Sequence, residues 1–277
     1  MSGKNTSEPK IVFIYDHKYP TFWMDGLSAA LDILSTDFEI VKNNLNDASS
    51  YINNNGGLIG DEDFVLGWGA FGSKVDNYMQ QLSEYKKGLC IAGNAQPPKG
   101  ANKYDVLFYE TKWYRPQINF HPNIIHAFGV NTDIFFPSDM SIILFDYLGV
   151  GSFSNWKRWE KMKGKRGVRM VIGEYQKENE DESLSIVKDL LRYGVMVSDM
   201  INPIDLSRFY SSSRTVYMPS DIYGGGERTV LEARSCGCNV EIEPDNPKLK
   251  ELLNWNPIPD HIWYAKQLKK GILSCLN

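Results

Sequence analysis

Apolar residues in this chain come in short β-branched or aromatic runs, separated by stretches where they recur every three or four positions. Residues 10–16 (KIVFIYD) form the first such run after a polar stretch and read as a strand. Residues 21–34 then place Phe22, Leu27, Leu31 and Leu34 on or near one helical face. Residues 38–41 predict a second strand, and residues 43–57, rich in Asn, Ser and Gly, a loop or a poorly packed helix. A third strand is expected within 60–69, around Phe64-Val65-Leu66 and closed by Gly67-Trp68-Gly69. Residues 75–85 look helical, and 88–92, 104–109 and 124–128 look like further strands. Strands that alternate with helices predict an α/β fold with a wound parallel sheet.

The alternation then restarts. Strands are expected at 141–150, 167–172, 195–197 and 216–218, and helices at 184–192, 203–210 and 227–236. Short apolar segments follow at 239–242 and 249–253, and an amphipathic helix covers 260–275. Pro137-Ser138-Asp139 has the composition of a linker. The expected division is therefore into halves 1–137 and 138–277. There is no short-period repeat and no low-complexity run.

Composition narrows the function classes. At 277 residues the length suits two small domains. A net charge of −4 gives no general affinity for nucleic acid or an anionic membrane. The four cysteines, Cys90, Cys236, Cys238 and Cys275, show neither a disulfide framework nor zinc spacing, which fits a reducing cytoplasm. No apolar run approaches the ~18 residues of a membrane span, and the first ten residues are polar, so neither a span nor a signal peptide is expected. The aromatic fraction of 13% suits sugar stacking as well as core packing, and packing is its larger use.

The candidate chemistry centres on residues 219–238. Pro219-Ser220 is followed by Gly224-Gly225-Gly226 and a helix that stops at Gly237. Glycines let backbone N–H groups approach a ligand and adopt φ > 0. A loop that feeds a helix N-terminus is an anion site with phosphate as its common guest, although a tight turn without a ligand reads equally well. A second site begins at Gly151, where a strand ends and Lys157 and Arg158 follow. Ligands of open α/β sheets bind at such carboxyl ends, but a solvated basic loop extending through Lys161, Lys163, Lys165 and Arg166 is the alternative. Arg228 and Glu232 lie four apart and could form a helix-surface ion pair, and Glu227 could complement the helix dipole.

Taken whole, Pro-Ser, the glycine loop, Leu231-Glu232-Ala233 and Cys236-Gly237 resemble the signature of family 4 glycosyltransferases, retaining nucleotide-sugar enzymes of the GT-B fold. Residues 129–137 (GVNTDIFFP) likewise resemble the segment before that family's interdomain linker. The resemblance covers roughly residues 129–275 and implies two Rossmann-like domains with parallel sheets facing a cleft. The first would take the acceptor, the second the donor, with the final helix crossing back to the first. It implies transfer of a sugar from a nucleotide-diphosphate sugar to an acceptor (a glycan, lipid or protein), with retention, without metal and without a cofactor. The leaving phosphate itself would accept the acceptor's proton.

Residue by residue, Lys157 would neutralise the donor diphosphate with Arg158 and the N–H groups of Gly225 and Gly226, Glu232 would hold the ribose, and Met200 and Ile201 would lie against the base. Ser152 stands where the family has arginine, and Gly224 where it has the glutamate that faces the donor sugar. Glu227, with Arg228 beside it, is the nearest substitute for that glutamate and the second candidate catalytic residue. These departures leave a catalytically degenerate nucleotide-sugar-binding protein as the alternative.

On the acceptor side, His17, Trp23, Trp68 and Asn94 fall near strand ends that face the expected cleft, though each also suits a turn. Asp61-Glu62-Asp63 matches a metal-binding triplet of the other glycosyltransferase fold but precedes its strand, and the four histidines lack metal spacing. The final helix carries Lys266, Lys269 and Lys270 between its apolar positions. Membrane contact is conceivable on that pattern, and packing on protein is the favoured reading.

Overall fold

The structure, a computed structural model, describes residues 10–16, 25–46, 63–92, 98–138, 142–176 and 179–276. Strand β1 (Lys10–Tyr15) sends Ile11, Phe13 and Tyr15 to one face and Val12 and Ile14 to the other, and both sets are buried. A strand covered on both faces has no polar alternation, which is why this run is continuously apolar. It pairs with β2 (Glu39–Asn44) and β3 (Phe64–Gly69), and β4 (Lys86–Ile91), β5 (Val106–Tyr109) and β6 (Ile124–His126) complete the sheet. The order is β2-β1-β3-β4-β5-β6, with every pair parallel.

Helix α1 (Gly26–Leu34) is capped by Asp25, whose carboxylate accepts from Ser28 N–H at 2.8 Å. Helix α2 (Lys74–Met79) is capped by Ser73, and α3 (Arg115–Ile118) is a single turn. The expected helix over 75–85 is thus shorter, because the chain turns at Gln80–Leu82 on backbone bonds back to residues 76–79. Asn43 and Asn44 belong to β2 and not to a loop.

The second sheet consists of β7 (Phe145–Val150), β8 (Arg169–Gly173), β9 (Met196–Asp199), β10 (Ser213–Met218) and β11 (Asn239–Ile242). It is also wholly parallel, ordered β11-β10-β7-β8-β9. Ile142, Ile143 and Leu144 precede β7 as exposed chain and do not extend it. Helix α4 (Glu180–Arg192) starts earlier than its apolar spacing indicates, since Glu180, Asp181 and Glu182 complement the positive end of the helix. Helices α5 (Pro203–Ser211), α6 (Glu227–Ser235) and α7 (Pro247–Asn254) flank this sheet.

The last helix, α8 (His261–Leu276), lies against α1 and the first sheet. Tyr264, Ala265, Leu268 and Ile272 are buried there, and Lys269 pairs with Asp37 at 2.8 Å. Gly271 is needed at the crossing, because a Cβ would sit 2.5 Å from the Phe108 ring. No described helix is long and apolar enough to cross a membrane.

Candidate functional site

Both sheets reverse their winding at one point, between β1 and β3 in the first and between β7 and β10 in the second. A crevice for ligands opens outside the strand carboxyl ends at such points. Here the two crevices share one cavity of about 550 Å³, lined from the first sheet by Asp16, Trp68 and Glu110 and from the second by Gly151, Lys157 and the glycine turn.

Lys157 ends the short 3-10 turn Asn155–Lys157 that follows β7. Its side chain crosses the face of Gly151, where a Cβ would lie 2.9 Å from Nζ, and Gly151 itself has φ 150°. Only glycine lets the lysine cross there. The side chain is 7% exposed, and burial lowers the ammonium to about 8 against the pull of Glu227.

The glycine turn leads from β10 into the N-terminus of α6. Gly225 and Gly226 are left-handed at φ 65° and 113°, a region where side chains are strained. Gly224 is small for another reason. The turn is stitched to the lysine segment by the Asp221 N–H donating to Trp156 C=O at 3.0 Å. A Cβ on Gly224 would then lie 2.3 Å from that same carbonyl oxygen. A glutamate has no room at this position.

Glu227 occupies the space beneath the turn and is 5% exposed. Its Oε1 lies 2.6 Å from Nζ of the fully buried Lys248, an oblique approach that makes the contact ionic more than a directed hydrogen bond. Its Oε2 faces Gly225, 3.4 Å from where that residue's Cβ would be, and Lys157 Nζ is 3.8 Å from the same point. One helical turn on, Glu232 accepts from the Tyr210 hydroxyl at 2.9 Å. Burial raises its carboxyl, with Arg228 opposing. Arg228 reaches across the cleft and pairs with Asp25 at 2.9 Å.

Arg158 does not join Lys157 in the cavity. Its left-handed backbone (φ 52°) turns the side chain outward, where both terminal nitrogens bind Asp245 at 2.6 and 2.8 Å and Nε donates to Pro219 C=O. The basic run beyond it is likewise committed, with Lys161 to Glu243 and Lys163 to Asp189. Adjacent residues in a tight turn point apart, and spacing alone does not tell which faces the cavity.

Ser152, Met200 and Ile201 line the cavity, and Trp68 does so at the end of β3. His17, Trp23 and Asn94 lie outside the described residues, as do Asp61 and Glu62 of the acidic triplet. No cluster of His, Cys, Asp or Glu among the described residues could hold a metal ion.

Asp16, Asp25, Glu110 and Lys248 escape the sequence reading. Lys248 carries a signal, since it shares the inward face of α7 with Leu249 and Leu252. A charge on the apolar face of a short helix marks a buried partner. Glu110 stands one residue past the apolar run of β5, at a carboxyl end of the kind that lines such crevices.

No protein-family model and no curated protein sequence matches the chain. Solved structures do. HepE from Anabaena, in complex with UDP and glucose, aligns with TM-score 0.62 at 10% identity over 97% of this chain and 90% of its own. Sucrose-phosphate synthase from Thermosynechococcus elongatus aligns with TM-score 0.63 at 12% identity over 97% and 90%. AviGT4, a glycosyltransferase involved in avilamycin A biosynthesis, aligns with TM-score 0.61 at 13% identity over 97% and 98%. Such a likeness shows the fold: two Rossmann-like parallel sheets facing a cleft, the GT-B architecture.

Proposed function

We propose that this protein is a glycosyltransferase, moving a sugar from a nucleotide-diphosphate sugar to a hydroxyl-bearing acceptor. One observation carries the reading. Lys157, the glycine turn at the start of α6 and Glu232 line one cleft at the switch point of the second sheet. A buried cation beside a helix N-terminus suits a diphosphate, and a carboxylate one turn along suits the ribose hydroxyls. The HepE structures were solved with UDP, UDP and glucose, or UDP-glucose, which supports a donor of this class.

In the proposed reaction the diphosphate lies between Lys157 and the N–H groups of Gly225 and Gly226, with Ser152 beside it. Glu232 takes the ribose, and Met200 and Ile201 flank the base. Charge gathers on the departing diphosphate, and a fixed cation and dipole there lower the barrier. Arg228 is held by Asp25 at the mouth of the donor side. Glu227, poised between Lys157 and Lys248, is offered to the donor sugar in place of the glutamate excluded at Gly224. Retention without a metal follows the family resemblance and is read from the anomer of the product.

A thermal-shift screen against UDP-, GDP- and ADP-sugars tests the reading directly. Stabilisation by one nucleotide series is expected, and no response to any of them removes the proposal. The crowding of Gly224 also favours a second reading, a binder that retains the nucleotide-sugar without turnover. Incubation of the best donor with the protein separates the two, since a transferase slowly hydrolyses its donor even without an acceptor.

A further inference from the structure

We propose that Glu110 is the catalytic base of the first sheet, the group that takes the proton from the attacking acceptor hydroxyl. This rests on the glycosyltransferase reading and departs from it at one step, the fate of that proton. Glu110 emerges at the carboxyl end of β5 and lines the same cavity as Lys157 and Glu227 from the opposite wall. Glu227 and Arg228 of α6, Lys248 of α7 and Asp25 at the start of α1 are the charged groups that face it. Tyr114 on the α3 side and Tyr264 of α8 are the phenols within its field.

Among the described residues no side chain forms an ion pair or hydrogen bond with the Glu110 carboxylate. Every other carboxylate singled out at this cleft is committed: Glu227 to Lys248, Glu232 to Tyr210, Asp25 to Arg228 and Asp16 to Asn46. The backbone beneath Glu110 is fixed. Its carbonyl accepts from His126 Nε2 at 3.1 Å, and that imidazole is stacked between Tyr109 and Trp255 at 5.0 and 4.3 Å. A held strand end with an uncommitted carboxylate aimed into a reaction cleft is the arrangement a general base requires.

Electrostatics agrees with the geometry. Burial, and then the neighbouring Glu227, raise the Glu110 carboxyl to about 8. A base near the working pH combines an available ionised form with real proton affinity. The step balances as follows. The acceptor oxygen bonds to the anomeric carbon, and the bond from that carbon to the diphosphate oxygen breaks with its electron pair left on the diphosphate. The hydroxyl proton passes to Glu110. Water serves as the acceptor when the donor is hydrolysed.

Donor hydrolysis therefore tests the step without knowledge of the natural acceptor. The probe is the UDP-, GDP- or ADP-sugar that stabilises the wild-type protein. Glu110→Gln should bind that donor within twofold of wild type and turn it over roughly 10²–10⁴-fold more slowly. Glu110 gains its charge and Lys157 loses its own near the same pH of about 8, so wild-type hydrolysis should peak there, and the variant should lose the acid limb. Glu110→Ala should regain part of its rate with added formate, a rescue that a merely structural role would not give. Turnover of Glu110→Gln within threefold of wild type overturns the proposal while leaving the donor assignment intact. So does a retained acid limb in that variant. Donor binding without hydrolysis by wild type, or no donor binding, removes this proposal together with the transferase reading.

Discussion

The ammonium of Lys248 lies 2.6 Å from the carboxylate of Glu227, with the two side chains 0% and 6% exposed. This pair joins α7 to the first turn of α6 directly under the glycine loop. Desolvating two ions costs several kcal/mol each, so such a pair persists only where further contacts compensate. The rings of Trp113 and Tyr114 supply part of that, with centroids 5.7 and 5.8 Å from the ammonium. Both aromatics belong to the first half of the chain, so the pair also ties the glycine turn to the opposite wall.

Removing one partner strands the other. Lys248→Met should destabilise the protein by about 3–5 kcal/mol, the cost of leaving a buried charge uncompensated. Urea denaturation measures it, and the double variant Lys248→Met with Glu227→Gln should recover much of the loss. Equal stability of Lys248→Met and wild type would show that the pair is solvated and not buried.

The glycine-turn side of the cleft was more legible in the sequence than the opposite wall, for a physical reason. Gly224-Gly225-Gly226 and Glu232 lie within nine consecutive residues, and local chemistry announces them. The winding of both sheets was also legible, because strands buried on both faces leave uninterrupted apolar runs such as 10–15. Arg158 shows the limit. It and Lys157 look alike in sequence, and only the left-handed turn sends one to the cavity and the other to Asp245. Glu110 meets Glu227, Arg228 and Lys248 only through packing between residues more than a hundred positions apart, which no short window contains.

Lys157 should dominate diphosphate affinity. Lys157→Ala is expected to weaken binding of a nucleoside diphosphate by about 1.5–3 kcal/mol, the worth of a hydrogen bond to a charged group. The lysine titrates near 8 because burial disfavours its charge. Its cationic form is the binding form, so affinity should be full below pH 8 and fall as pH rises through it. Calorimetry at pH 6.5 and pH 9 checks the sign, and pH-independent affinity in the wild type would place the diphosphate elsewhere.

Gly224 tests the packing of the glycine turn. Introducing by Gly224→Glu the glutamate that the family 4 resemblance would place there should not improve turnover. The new Cβ would lie 2.3 Å from the Trp156 carbonyl oxygen, a backbone atom that cannot yield cheaply. A loss of about 1–3 kcal/mol is expected from overpacking of this kind, visible as a lowered Tm. An unchanged Tm with faster donor hydrolysis would mean that the loop has a second, open arrangement.

The final helix offers the last test. Its sequence permits two partners, since a basic amphipathic helix can lie on a lipid surface as well as on protein. In the structure its apolar side is committed, with Tyr264, Leu268 and Ile272 buried and Gly271 closing on Phe108. Lys269, one of the three lysines, is paired with Asp37. Each large apolar side chain so buried contributes about 1.5–3 kcal/mol. Deleting residues 260–277 should therefore destabilise the protein severely. The subtler variant Gly271→Leu should push α8 off the first sheet and lower the Tm without removing any contact residue. Flotation with anionic vesicles examines the rival partner. The intact protein should stay at the bottom of the gradient. If it floats, and a truncated form that remains folded does not, then the helix is a membrane anchor and its packing on the first sheet is only its resting place.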